Sequence, residues 1–268
     1  MKSSDSPLEL SRREFVGYSG AAGAAAALAA TRLAAPDARS CKRGLADLCG
    51  TTSDGVYLWK SVQACVKDPS RPDCLVTKPE YVVLPGDPEN NHDFLLVPTK
   101  RIKGIECPLL WTEYKGINYW EDAWTQATNG GKGNVTYSVV GLGVNSVGPR
   151  KEAQLHIHMA GFRDGAFEEI KRQDGKITRQ PGAWPDSIIE VDGYLYRALH
   201  LPSLSQNIFV LLYDHVVRPL KDDMGEQAVL VTKAAGGFYV LDTQGSLKDS
   251  KYPGKGGTDT CDRLLVYA

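Results

Sequence analysis

Apolar and polar positions repeat with two different periods along this chain, and the changes of period mark its elements. Residues 56–66 (VYLWKSVQACV) return apolar side chains at helical spacing just after Ser53 and Asp54, which predicts a short helix capped by that pair. Residues 81–84 and 94–98 are short apolar runs on either side of PGDPENNH, the pattern of two strands joined by a turn-rich loop. The helical period resumes over 119–127, where Trp120 and Trp124 share one face. TNGGKGN (128–134) breaks it, and a strand is expected from 135 to about 145. Ser203-Leu204-Ser205-Gln206 fits a capping box, with Leu204, Ile208, Leu211, Leu212 and His215 at helical spacing until Pro219. Residues 228–233 and 238–243 pattern as a hairpin closed around Gly236-Gly237. Hairpin-joined strands with helices between them predict an α+β fold built on a mainly antiparallel sheet. The two strand–turn–strand units at 81–98 and 228–243 hint at an internal duplication.

Strict alternation is clearest in KEAQLHIHMAG, residues 151–161. As a strand it sends Leu155, Ile157 and Met159 to one face and Gln154, His156, His158 and Ala160 to the other. The apolar set has a core to enter. The polar set holds two of the chain's five histidines, about 6.5–7 Å apart along the strand.

Composition narrows the class. The chain has 268 residues, 42% hydrophobic, with a formal net charge of −1. That near-neutral balance lacks the basic stripe that nucleic acid requires. Ser11-Arg12-Arg13-Glu14-Phe15-Val16 followed by an Ala/Gly-rich segment has the form of a twin-arginine export signal, so residues 1–40 are expected to be a leader and 41–268 the working domain. As a helix, the Ala/Gly-rich segment of about 15 residues is roughly 22 Å long, shorter than a ~30 Å hydrocarbon layer. In an exported chain the six cysteines favour disulfides over metal thiolates, and Cys65 and Cys74, flanking a short polar loop, are the expected bridge.

Two in-register imidazoles admit three uses. They can be a solvated structural pair. They can be two ligands of a metal, which needs a third and usually a fourth. Here the positions that would complete familiar His-x-His metal motifs hold Phe162 and Arg163, or Ala160 and Gly161, leaving only distant His92, His200 or His215. Finally, one neutral imidazole can attack phosphorus while the other donates a hydrogen bond to a phosphate oxygen.

The third use coincides with a resemblance. The motif resembles that of the histidine-triad superfamily, His-φ-His-φ-His-φ-φ at a strand. More narrowly, the chain is similar to bacterial CDP-diacylglycerol pyrophosphatases through an ordered set of segments. These are YVVLPGDPENNHDFLLVPTKRIKGIECPLL (81–110), NYWEDAW (118–124), NSVGPRKEAQLHIHMAGFR (145–163), YLYRAL (194–199) and GGFYVLDTQ (236–244). The resemblance implies a histidine-triad-like, mainly antiparallel sheet with flanking helices. It also implies hydrolysis of CDP-diacylglycerol, a lipid presented at a membrane surface, to CMP and phosphatidic acid. By position, His156 falls on the nucleophile, His158 on the last triad histidine, and Gln154 on the first, a departure that removes a chargeable group. A register shifted by two makes His158 the nucleophile; the ungapped match over 145–163 favours His156. Asn145 falls where the superfamily contacts the nucleotide, and Arg150 and Lys100 (with Lys151 and Arg101) are expected near the diphosphate. The chemistry implied requires no metal, although a divalent ion riding on the substrate is compatible with it. Two other readings stand beside it: another nucleotide hydrolase or nucleotidylyl transferase of the same fold, and an exported metal-binding module using the paired histidines.

Overall fold

The computed structural model describes residues 38–86 and 92–267, giving only the backbone of 38–43. The expected export signal and the side chain of Cys41 lie outside the described residues. The first helix, α1 (Ala38–Cys49), begins ahead of the boundary expected after residue 40.

The apolar runs become strands of one sheet. In chain order they are β1 (Val76–Thr77), β2 (Tyr81–Pro85), β3 (Asp93–Pro98), β4 (Val140–Val144), β5 (Ile157–Phe162), β6 (Ile188–Val191), β7 (Tyr194–Leu201), β8 (Ala228–Ala234) and β9 (Gly237–Thr243). Across the sheet the order is β1-β2-β3-β5-β4-β8-β9-β7-β6, with every strand pair antiparallel. A last strand, β10 (Leu265–Val266), pairs with the far end of β5. The α+β class read from the pattern is therefore the class of the fold.

This order contains a duplication, though not the one the hairpins predicted. The run β2-β3-helix-β4-β5 is repeated as β6-β7-helix-β8-β9, and the two halves meet where Leu142 of β4 faces Val231 of β8. Residues 228–243 thus correspond to β4 and β5, and the counterpart of 81–98 is 188–201. About that pair, His158, flanked by Gly143 and Leu95, maps onto Tyr239, flanked by Thr232 and His200. In the second half the Tyr239 hydroxyl donates to Asp174 at 2.9 Å.

One face of the sheet carries the main core. There α3 (Tyr119–Thr128) brings Trp120, fully buried, to 5.4 Å from the Phe209 ring, while Trp124 meets Phe238 edge-on at 5.0 Å. The two tryptophans are core, on the face away from His158. The opposite face has two smaller apolar clusters. Under α2 (Tyr57–Lys67) lie Leu58, Trp59 and Val62 with Val82, Leu84 and Val97, tied by the expected Cys65–Cys74 bridge. Under α4 (Asp164–Arg172) and the C-terminal segment lie Phe162, Ala198 and Leu241 with Ile170 and Leu264. A second disulfide joins Cys49 at the end of α1 to Cys107. Disulfides are compatible with an exported protein. Among the described residues no helix is long and apolar enough to cross a membrane.

Several boundaries differ from the expectation because side chains found other partners. Asp54 does not cap α2; its carboxylate takes the Thr51 hydroxyl and the Arg101 guanidinium, and Glu152 accepts the Leu58 N–H at 3.2 Å instead. The strand expected from 135 shortens to β4, since the Val135 N–H goes to Ala127 at the end of α3. The Ser203 and Ser205 hydroxyls bond each other. The helix starts later, as α5 (Ile208–Leu212), capped by Asn207, whose side-chain oxygen accepts the Phe209 N–H, and it continues through a wider turn past Pro219 to Leu220.

Candidate active site

The alternation that predicted a strand holds for the apolar side: Leu155, Ile157 and Met159 all enter the main core. Strand pairing, however, begins only at Ile157, so His156 sits on the irregular approach to β5 while His158 lies within it. Both line a cleft of about 720 Å³ on the face between the two smaller apolar clusters. Its walls are Tyr57, Leu58 and Ser61 from α2, Leu84 and Leu95 from β2 and β3, and Asp262 and Tyr267 from the C-terminal segment. The imidazole centroids stand 4.9 Å apart, edge to face at 74°. This is closer than two ideal strand residues, because His156 is not held to the pleat.

His156 Nδ1 is 2.7 Å from the Gln154 carbonyl oxygen. A carbonyl only accepts, so Nδ1 carries the proton and the Nε2 lone pair is left available. Burial lowers the His156 pKa, against the upward pull of the Gln154 carbonyl. His158 is pushed down to about 3, by burial first and then by the neighbouring His156. Neither nitrogen of His158 has a hydrogen-bond partner among the described residues, although both are buried. Such a group is costly to leave unpaired, as expected of a position built for a ligand.

Two imidazoles held neutral make stability depend on pH. Their folded-state pKa values lie below the unfolded value of about 6.5, so between these limits the unfolded chain binds protons that the folded chain does not. Stability is full above about pH 6.5 and is lost as pH falls toward 3. The urea midpoint, followed from neutral to acid pH, should fall less steeply in His158→Asn than in the wild type. Equal slopes would refute this source of acid sensitivity.

The other expected site residues divide. Asn145 lines the cleft, but its amide is engaged: Nδ2 donates to Asp262 at 3.2 Å, and Oδ1 accepts from Thr260 and from the Cys261 N–H, each at 2.8 Å. Gln154 is fully buried beneath the site. It accepts from Arg101 at 2.9 Å and donates to the Pro98 and Lys100 carbonyls. Its register predicted the histidine face, but the chain is not yet pleated there. Arg150 lies across Gly104 and forms a buried two-point ion pair with Glu106, at 2.7 and 2.9 Å, outside the cleft lining. Lys100 is exposed and also outside that lining; Lys151 is the lysine at the cleft wall.

The C-terminal segment supplies what the motif did not announce. The Tyr267 ring packs 5.2 Å from His158, and its hydroxyl donates to Asp262 at 2.6 Å. Burial works to raise the Asp262 carboxyl, but hydrogen bonds from Tyr267 and Asn145 and the nearby His158 hold it below the usual range. One donor atom each from His158, Cys261 and Asp262 lies within 4.8 Å of the other two. Asn145 and Asp262 are 117 residues apart in sequence, and no local pattern links them.

Comparison with known proteins gives the family of the chain. The family described as CDH: CDP-diacylglycerol pyrophosphatase matches residues 53–258. A CDP-diacylglycerol pyrophosphatase from Yersinia pestis is 27% identical over 199 residues, covering 70% of this chain and 76% of that protein. The family match takes in α2, β2 to β9 and both cleft histidines, and ends just short of Asp262. With well over half of its length matched, the chain belongs to the CDP-diacylglycerol pyrophosphatase family.

Proposed function

We propose that this protein hydrolyses the diphosphate of CDP-diacylglycerol to CMP and phosphatidic acid through a covalent cytidylyl-histidine intermediate on His156. Membership of the family supports the substrate and the bond broken. The single observation that carries the covalent step is the 2.7 Å contact from His156 Nδ1 to the Gln154 carbonyl, which leaves Nε2 unprotonated on a ring that lines the cleft.

In the first step the Nε2 lone pair attacks the phosphorus next to cytidine. A P–N bond forms, the bridging P–O bond breaks, and phosphatidate leaves with the electron pair. Phosphatidate is a stable anion, so a strong general acid is unnecessary. In the second step water attacks the same phosphorus, the P–N electrons return to Nε2, and the proton lost by water leaves with CMP or solvent. Two lower barriers replace one direct attack on an anion. His158, as a neutral donor beside the nucleophile, would hold a non-bridging oxygen as charge gathers there. Lys151 faces the diphosphate from the cleft wall, and Tyr57, Leu58 and Leu84 offer the apolar side toward glycerol and the acyl chains. The reaction as written requires no metal. Export by the twin-arginine signal would put the domain on the outer face of the inner membrane, where the lipid headgroup is accessible. The ordered triad-like segments support a histidine-triad ancestry with Gln154 in the first position.

A rapid-quench experiment with cytidine-labelled CDP-diacylglycerol tests the intermediate. Label bound to protein, stable in base and released by acid, is the expected result; turnover with no trapped label at any quench time would refute the covalent path. A panel including dinucleoside polyphosphates should show preference for the CDP-lipid over soluble dinucleotides.

A further inference from the structure

The back wall of the cleft carries chemistry that the proposed reaction leaves unused. Cys261 is the free thiol among the described residues, and it is fully buried. It lies over Gly143, where a Cβ would meet its Cβ and Sγ at 2.8 Å, and Gly143 is the register partner of His158. The glycine thus lets the thiol lie beside the imidazole across the β4–β5 pair. Sγ is 3.7 Å from Asp262 Oδ1, and the three donor atoms converge within 4.8 Å. Both His158 nitrogens are buried without partners among the described residues. The cleft is also anionic: Asp73, Asp93, Glu152 and Asp262 line it against one lysine, Lys151.

We infer that His158, Cys261 and Asp262 form a site for a borderline-soft divalent cation of the Zn²⁺ type, and that its occupation inhibits the enzyme. Imidazole nitrogen, thiolate sulfur and carboxylate oxygen together are the donor set such ions select, whereas Mg²⁺ and Ca²⁺ seek oxygen alone. Three protein ligands leave a coordination position open toward the cleft. On binding, Cys261 gives up its thiol proton to solvent, the S–metal bond forms, and no electron is transferred. The ion withdraws the His158 lone pair and fills the space beside His156. Binding stands independently of the proposed reaction; inhibition rests on that reading, in which His158 meets the phosphate. Cys261 and Asp262 both fall beyond the family match at 258.

The test uses the full chain stripped of metal. Titration with Co²⁺ should give one ion per chain and a sulfur-to-cobalt charge-transfer band. Cys261→Ser should lose the band while keeping its cation-free turnover. Zn²⁺ should lower wild-type turnover at least tenfold at concentrations that leave Cys261→Ser unaffected. If that variant does not fold, Asp262→Asn should retain the band and bind about tenfold more weakly. No bound ion, or a band that persists in Cys261→Ser, would overturn the site. Turnover that rises with the cation, or equal inhibition of both proteins, would overturn the inhibitory role while leaving the absorbance result intact. Failure of the CDP-lipid assay alone would not alter the cobalt band, so the two readings fail separately.

Discussion

His156→Ala is expected to lower turnover of CDP-diacylglycerol by roughly 10³- to 10⁴-fold, about 4 to 5 kcal/mol of transition-state stabilisation. The substitution removes the only atom proposed to bond to phosphorus, so no trapped label should form. The fold should survive, because His156 is partly exposed, stands outside the strand ladder, and loses one hydrogen bond, to the Gln154 carbonyl. That loss amounts to roughly 1 kcal/mol. His158→Ala should cost less, on the order of 10- to 100-fold, and should still trap label, because it removes a donor and not the nucleophile. Steady-state rates and trapping with both variants check the order. If His158→Ala abolished the trapped intermediate while His156→Ala kept it, the register would be shifted by two and the nucleophile would be His158. Unchanged turnover in His156→Ala would end the covalent proposal.

Removing the Cys49–Cys107 bridge should produce the largest loss of stability available to a conservative pair of substitutions. Its sequence separation is 58, against 9 for Cys65–Cys74. Loop-closure entropy grows with the logarithm of loop length, giving about 4 kcal/mol for the long loop and somewhat under 3 for the short one. For a domain of this size the long loop corresponds to roughly 10 °C in melting temperature. Both cysteines of the long bridge are buried, so Cys49→Ala with Cys107→Ala leaves small apolar groups in an apolar place. Thermal melts of the two double variants, with Cys65→Ala and Cys74→Ala as the other, should rank them in that order. The reverse order would mean that native-state packing around the short bridge, and not the unfolded chain, governs the effect.

Local pattern made much of the fold legible. The runs at 81–84 and 94–98, the helix at 119–127 and the hairpin at 228–243 are present close to the expected bounds, because short apolar runs and turn residues act over a few neighbours. The errors came where a side chain had an alternative partner, distant for Asp54 and close by for Ser203. Asp54 looks like a cap until Arg101 arrives, and Ser203 fits a capping box until Ser205 and Asn207 are placed beside it. The same holds in the site. The histidine pair stood out in the sequence, but Arg150 was claimed by Glu106 and Gln154 by Arg101, partners 44 and 53 residues away. Asp262 and Tyr267 carry no motif at all.

By itself, then, the amino-acid order determined that leucine, isoleucine and methionine would alternate with two histidines over residues 155–159 and that an antiparallel sheet would form. Those are consequences of a two-residue period and of intrinsic side-chain chemistry. Only the tertiary structure decided that His156 would stop short of the pleat, that Asn145 would hold the C-terminal segment, and that a thiol and a carboxylate would close behind His158. Such choices depend on which groups compete for each donor and acceptor once the chain is folded, and for Asn145 that competition is resolved by a contact 117 residues away.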